Sequence, residues 1–233
     1  MVMLFFFFFI DIREILPTYA ISQLRPFFHA GKNNELILDT SFVSLPSFKM
    51  KKRVNFFKQN SALLSFLAEQ YNIYKLQKNR RKLKEKVGKK IDPEKKNRYR
   101  INNFLNLASS NPDSVYQQAY SLNKLLIEKM ADLCRKQGVE FVLVHIGSKY
   151  SMYDNVKGYF KVDPDLDPFW FEKDLKEFSE EVSINFIGLQ SIFNEKYGET
   201  EDPLFWTHWS YAGHRLTAEV ITDFLLQHQN DCL

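Results

Sequence analysis

The side chain best suited to chemistry is an imidazole near the C-terminus, in Phe205-Trp206-Thr207-His208-Trp209-Ser210-Tyr211-Ala212-Gly213-His214. Histidine titrates near neutral pH. Held on a loop at the edge of a rigid layer, it can take a proton from a nucleophile and hand it on, which a histidine packed in a core cannot readily do. Two neighbours suggest how His208 would be held. Ser210 is a natural helix cap, and Leu216, Val220, Ile221, Phe224 and Leu225 recur at helical spacing behind it, so His208 is expected at the mouth of a closing helix. His145, at the end of an apolar run, could face the same site, whereas His214 falls inside the predicted helix and reads as structural. Trp206 and Trp209 are expected to frame the turn. Cys134 and Cys232 lie far apart with no paired-cysteine or Cys/His spacing, which predicts neither a disulfide framework nor zinc. Cys134 is read as a small core residue on a helix.

The elements that must position His208 alternate in type. Met1 to Ile10 is an unbroken apolar run with five consecutive phenylalanines, ended by Asp11-Ile12-Arg13-Glu14, as in a parallel strand buried on both faces. It has no basic residue in front, no small-residue cleavage site behind and half the length of a spanning helix, so it reads as neither signal peptide nor membrane span. Asn111-Pro112-Asp113 opens a helix with Ala119, Leu122, Leu126, Met130 and Leu133 along one face and Gly138 as its stop. Val139 to Ile146 is a second buried strand. A helix with a Phe171, Leu175, Phe178, Val182 stripe follows, then a short strand at Ile184 to Leu189, a short helix and the closing helix. This order predicts an α/β layered domain with a parallel sheet. Ligands in such sheets sit beyond the carboxyl ends of the strands, where Asp11, the loop over 147–169 and the segment over 190–210 should gather. Between the first strand and the helix at 111 the sequence predicts a short hairpin, Phe27-Phe28-His29 with Glu35 to Leu38, and a helix near Ser61 to Tyr74.

The chain has 233 residues, 45% of them hydrophobic, enough for one domain with a substantial core. Its net charge of +4 conceals an asymmetry: residues 75–100 hold thirteen basic and three acidic side chains, a local +10, so the remainder sums to −6. A nucleic-acid or anionic-membrane partner would have to act through that segment, which otherwise reads as a solvated helix or flexible arm outside the core.

The stretch around His208 and Gly213 resembles the last conserved block of the SGNH (GDSL-type) hydrolases, where the general-base histidine precedes a glycine-containing entry to the closing helix. Phe5 to Glu14 resembles the third block, a hydrophobic strand usually ending in Asn-Asp, and between them the helix and strand over Leu122 to Ile146 resemble the large bacterial members of that group. The resemblance spans nearly the whole chain apart from the basic excursion over 75–100. It implies a three-layer α/β/α, flavodoxin-like domain, N-terminally truncated, with about three parallel strands remaining. It also implies ester or acyl hydrolysis by a Ser-His mechanism, with His208 as general base and neither metal nor organic cofactor. The family's oxyanion-hole Asn falls on Ile10, which cannot donate a hydrogen bond, with Asp11 beside it. The family's Asp falls on Phe205 or Trp206, and Asp202 is the nearest carboxylate. No Gly-Asp-Ser occurs in the sequence, so the chain by itself is expected to be inactive. The resemblance implies an ester or acylated substrate of unspecified identity; composition and the short apolar run argue against a nucleic-acid partner and a membrane-spanning segment. Two other readings remain open: a non-catalytic α/β binding protein, and nucleic-acid or anionic-membrane contact through 75–100.

Overall fold

The computed structural model of the protein describes residues 1–6, 12, 14–17, 20, 22–88, 108–109, 111–148, 166–197, 204–205 and 208–230. The chain forms two compact units, one of residues 1–16 with 103–233 and one of residues 17–102.

The first unit carries a parallel sheet of β1 (Val2–Phe6), β4 (Phe141–His145) and β5 (Asn185–Gly188) in the order β1-β4-β5. All five residues of β4 are buried, as expected of an apolar run that is central in its sheet and covered on both faces. Its alternation divides the core. Val142 and Val144 face Ile187, Leu189, Phe193 and Leu204, against which Leu216, Val220 and Phe224 of the closing helix pack. His145 faces the other way, toward Glu172. The sheet therefore has helices against both faces, and the chain is mixed α/β. Strand β1 is described over Val2–Phe6; residues 7–11 lie outside the described residues, and with them Ile10 and Asp11.

The helices of this unit are α3 (Ser114–Lys136), α4 (Trp170–Glu181), α5 (Leu189–Lys196) and α6 (Tyr211–Asn230). Asp113 caps α3 by accepting from Val115 N and Tyr116 N at 3.0 and 3.1 Å. Gly138 ends it in the left-handed region at φ 64°, with Gly138 N donating to Arg135 O and Val139 N to Cys134 O, the paired bonds of a Schellman motif. The buried face of α3 differs from the expected one. It runs through Ala119, Tyr120, Leu122, Asn123, Ile127 and Ala131, leaving Leu133 54% and Met130 37% exposed and Cys134 only half-buried. Tyr120 accounts for the rotation: its ring packs edge-on against Trp170 and Phe171, and its hydroxyl donates to Asp174. That pulls the helix face toward α4. Burial, then Asp174, hold the Tyr120 phenol protonated, its pKa pushed far above the usual value.

Helix α6 runs antiparallel to the strands. Near its end His228 Nε2 lies 2.8 Å from Glu140 Oε1 and 3.0 Å from Asn185 Nδ2, at the amino ends of β4 and β5. From Tyr211 to His228 the helix advances about 26 Å, longer than the strands it covers. Its first turn therefore lies on the carboxyl-end side of the sheet.

The second unit begins with the expected hairpin, β2 (Phe27–Ala30) paired antiparallel with β3 (Leu36–Asp39), closed by a turn with Asn33 at φ 62°. Two helices follow, α1 (Pro46–Gln59) and α2 (Ala62–Gly88), joined through Asn60 and Ser61. Asn60 Nδ2 donates to Phe56 O, ending α1, and Ser61 Oγ accepts from Leu64 N, starting α2. Helix α1 was not expected from the sequence, although Pro46 in its first turn is a start signal. Helix α2 continues through the first half of the basic segment, and 89–100 lie outside the described residues.

Candidate functional site at the entry to the closing helix

His208 occupies a tight turn whose sides are Phe205 and Trp209, paired by an isolated antiparallel bridge. The turn is anchored from below. Leu204 is 1% exposed and its carbonyl accepts from Ser210 N at 3.0 Å. Trp209 stacks on Phe193 with centroids 5.6 Å apart, and Phe205 lies 5.3 Å from the same ring. Buried Ser210 caps α6, its Oγ accepting from Gly213 N at 3.2 Å. Gly213 is required by space: a Cβ there would lie 2.4 Å from the Leu204 carbonyl oxygen. The turn and the first turn of α6 are thus pressed together, and His208 stands exposed above them. An exposed imidazole on an anchored turn, on the side of the sheet where parallel folds bind ligands, can reach a substrate and exchange a proton with it.

Of the other residues singled out in the sequence, Asp202, Ile10, Asp11 and Trp206 lie outside the described residues. His214 lies in α6, exposed, with its ring edge-on to Trp209 at 5.4 Å, in keeping with a structural role. His145 is 1% exposed and does not share the exposed setting of His208.

His145 belongs instead to a buried polar cluster that the sequence did not reveal. Four donors converge on the Glu172 carboxylate from β4 and from the start of α5. Oε2 accepts from Gln190 N at 2.6 Å and lies 3.3 Å from His145 Nδ1; Oε1 accepts from Ser191 N at 3.1 Å and Ser191 Oγ at 2.5 Å. Burial alone would raise the Glu172 pKa. The hydrogen bonds from His145 and Ser191, the His145 charge and the Gln190 N–H together hold it below the usual carboxylate range. Ionised Glu172 is acceptor-only, which assigns a proton to His145 Nδ1. Gln190 extends the cluster, its Oε1 accepting from Ser148 N at 2.5 Å and its Nε2 donating to Ser148 O at 3.3 Å. Two glycines admit this packing: a Cβ on Gly188 would meet Glu172 Cδ at 2.5 Å, and one on Gly147 would meet Gln190 Cα at 2.8 Å. A glycine at or just past the carboxyl end of each apolar strand was the available signal. The cluster ties together the carboxyl ends of β4 and β5, the floor on which the His208 side of the domain rests.

A cleft of about 360 Å³ in this unit is lined by Glu128, Asp132, Arg135, Glu181, Val182 and Ser183. These residues belong to the last turns of α3 and α4, which lead into the amino ends of β4 and β5, so the cleft lies at the opposite end from His208. Its charged groups are Glu128, Asp132, Glu181 and Arg135, and Arg135 is bonded to Asp132 Oδ1 and Val182 O. Among the described residues no group of His, Cys, Asp and Glu could hold a metal ion, and no helix is long and apolar enough to cross a membrane.

Comparison with protein-family models, with curated proteins and with solved structures returns no match to this chain. The class defined by fold and site is thus a mixed α/β protein with a three-stranded parallel sheet and an exposed histidine at the entry to its closing helix.

Proposed function

We propose that the chain is the C-terminal part of an SGNH (GDSL-type) ester hydrolase and supplies its general base, His208. The observation that carries this reading is the exposed imidazole on an anchored turn at the carboxyl-end side of a parallel sheet, with Gly213 packed against Leu204 O where the resemblance calls for a glycine. In this chemistry a serine hydroxyl attacks the ester carbonyl while the imidazole takes its proton and later passes it to the leaving alcohol. Asp202 is the carboxylate proposed to orient His208, and by the resemblance Ile10, with Asp11 beside it, takes the sequence position of the family's oxyanion Asn. Ile10 has no side-chain donor, so any oxyanion stabilisation comes from other groups. The serine is not provided in Gly-Asp-Ser form by these 233 residues.

The test is to read the codons upstream of Met1 in frame for Gly-Asp-Ser and to assay both chains with a p-nitrophenyl ester. The 233-residue chain should show no turnover that depends on His208. An extended chain bearing Gly-Asp-Ser should be active and lose roughly 10⁴-fold or more on His208→Ala. A nearby in-frame stop without that motif, or an extended chain indifferent to His208→Ala, would overturn the reading.

A further inference from the structure

We propose that the helical pair α1–α2 is a docking surface for an anionic phospholipid bilayer. This goes beyond the hydrolase reading and does not depend on it. No side chain of α1 is buried, and of residues 62–79 in α2 only Ala68 is as much as half-buried. Yet both helices are rich in apolar side chains. In α1, Met50, Val54 and Phe57 recur at i, i+4 and i+7, and in α2, Leu63, Leu67 and Tyr74 lie within one stripe; all six are exposed, Met50 by 62% and Leu63 by 67%. Exposed apolar stripes of this extent mark an interaction surface.

Charge identifies the partner. Helix α1 holds five basic and no acidic residues, and residues 46–88 together hold twelve basic and two acidic ones, a net +10. Lys51, Arg53 and Lys58 flank the Met50–Phe57 stripe on either side. A second copy of this surface would bring +10 against +10 and be repelled. A nucleic acid would satisfy the charges through its phosphates but leave Met50, Val54, Leu63 and Leu67 in water. An anionic bilayer takes both features. The helices lie in the interface plane with apolar and aromatic side chains in the headgroup–acyl boundary, and the lysines extend along it to the phosphates. Neither helix is apolar enough to cross, so the contact is peripheral.

Flotation of the full chain with phosphatidylcholine vesicles, and with vesicles containing about one-third phosphatidylglycerol, tests this. Expected is binding to the anionic vesicles alone, weakened by about 0.5 M salt. Lys51→Glu with Arg53→Glu should weaken it at least about 25-fold. Met50→Ser with Phe57→Ser should weaken it about tenfold while leaving the charge intact. All four positions are exposed, so the variants should keep the parent circular dichroism. Failure to bind either vesicle would overturn the proposal, as would binding indifferent to the Met50/Phe57 variant. Preference for RNA or DNA over vesicles at equal salt, or concentration-dependent self-association in place of lipid binding, would overturn it as well.

Discussion

Glu172→Gln is the most informative perturbation of the folded core, because it changes one buried atom and no shape. The native carboxylate offers two oxygens to four donors: Gln190 N and His145 Nδ1 on one, Ser191 N and Ser191 Oγ on the other. A glutamine offers one oxygen, and its amide group turns two donors of its own toward whichever pair it faces. At least one backbone N–H at the start of α5 loses its acceptor, and the remaining bonds lose their charge assistance. An unmade buried hydrogen bond costs about 1–3 kcal/mol and a charged one is stronger than a neutral one, so the variant should lose about 2–4 kcal/mol. Urea unfolding followed by circular dichroism measures this, with an unchanged m-value showing that the native state is otherwise preserved. The pH dependence supplies a second readout. Because the folded Glu172 pKa lies below its ordinary value of 4.5, the unfolded chain binds the proton first as pH falls. The stabilisation is complete above the unfolded value and disappears as pH drops through the depressed folded one. The wild type should thus lose stability between the two values, and the difference between it and Glu172→Gln should shrink there. A loss below about 0.5 kcal/mol, within the range of an ordinary surface substitution, would refute the role assigned to the cluster.

Gly213→Ala forces a methyl group against the Leu204 carbonyl and should lower stability by about 1–3 kcal/mol, with hydrogen exchange rising first in the turn carrying His208; protection equal to wild type would contradict the close packing. Strand β1 is outermost in its sheet among the described residues, with Val2 and Phe5 each more than 40% exposed. Val2→Lys should therefore raise the concentration at which the chain stays monomeric roughly severalfold, as judged by light scattering; no change would place the self-association surface elsewhere.

The parts of the fold legible in the sequence are those where a local signal and the tertiary environment agree. Val139 to Ile146 and Ile184 to Leu189 contain β4 and β5; β4 is buried throughout, and an apolar run of that kind needs no partner to declare itself, whereas β5 is buried only at Ile187. Asp113 and Gly138 bound α3 through capping chemistry that is local to the backbone. What was not legible depended on partners distant in the chain. The face of α3 follows Tyr120, whose partners Trp170, Phe171 and Asp174 lie some fifty residues on. Glu172 looked like an ordinary acidic residue in the first turn of a helix, and only the fold brings Gln190, Ser191 and His145 to it. Helix α1 was missed although the sequence carries its signals, Pro46 at the start and Met50, Val54 and Phe57 at helical spacing. For the candidate site, His208 and its exposed setting were read from capping and spacing alone, whereas the residues proposed to work with it fall in segments outside the described ones.

The run of α6 back along the sheet has a mechanical consequence. Its tail is clamped by Glu140 and Asn185 at one rim, while its head and the Leu204 carbonyl together hold the histidine at the other. Between those two rims the helix advances about 26 Å and packs on the core through Leu216, Val220 and Phe224. A displacement where His228 is gripped would reach the turn carrying His208 through one continuous helix, which ties the setting of the proposed general base to the far rim as well as to its own neighbours.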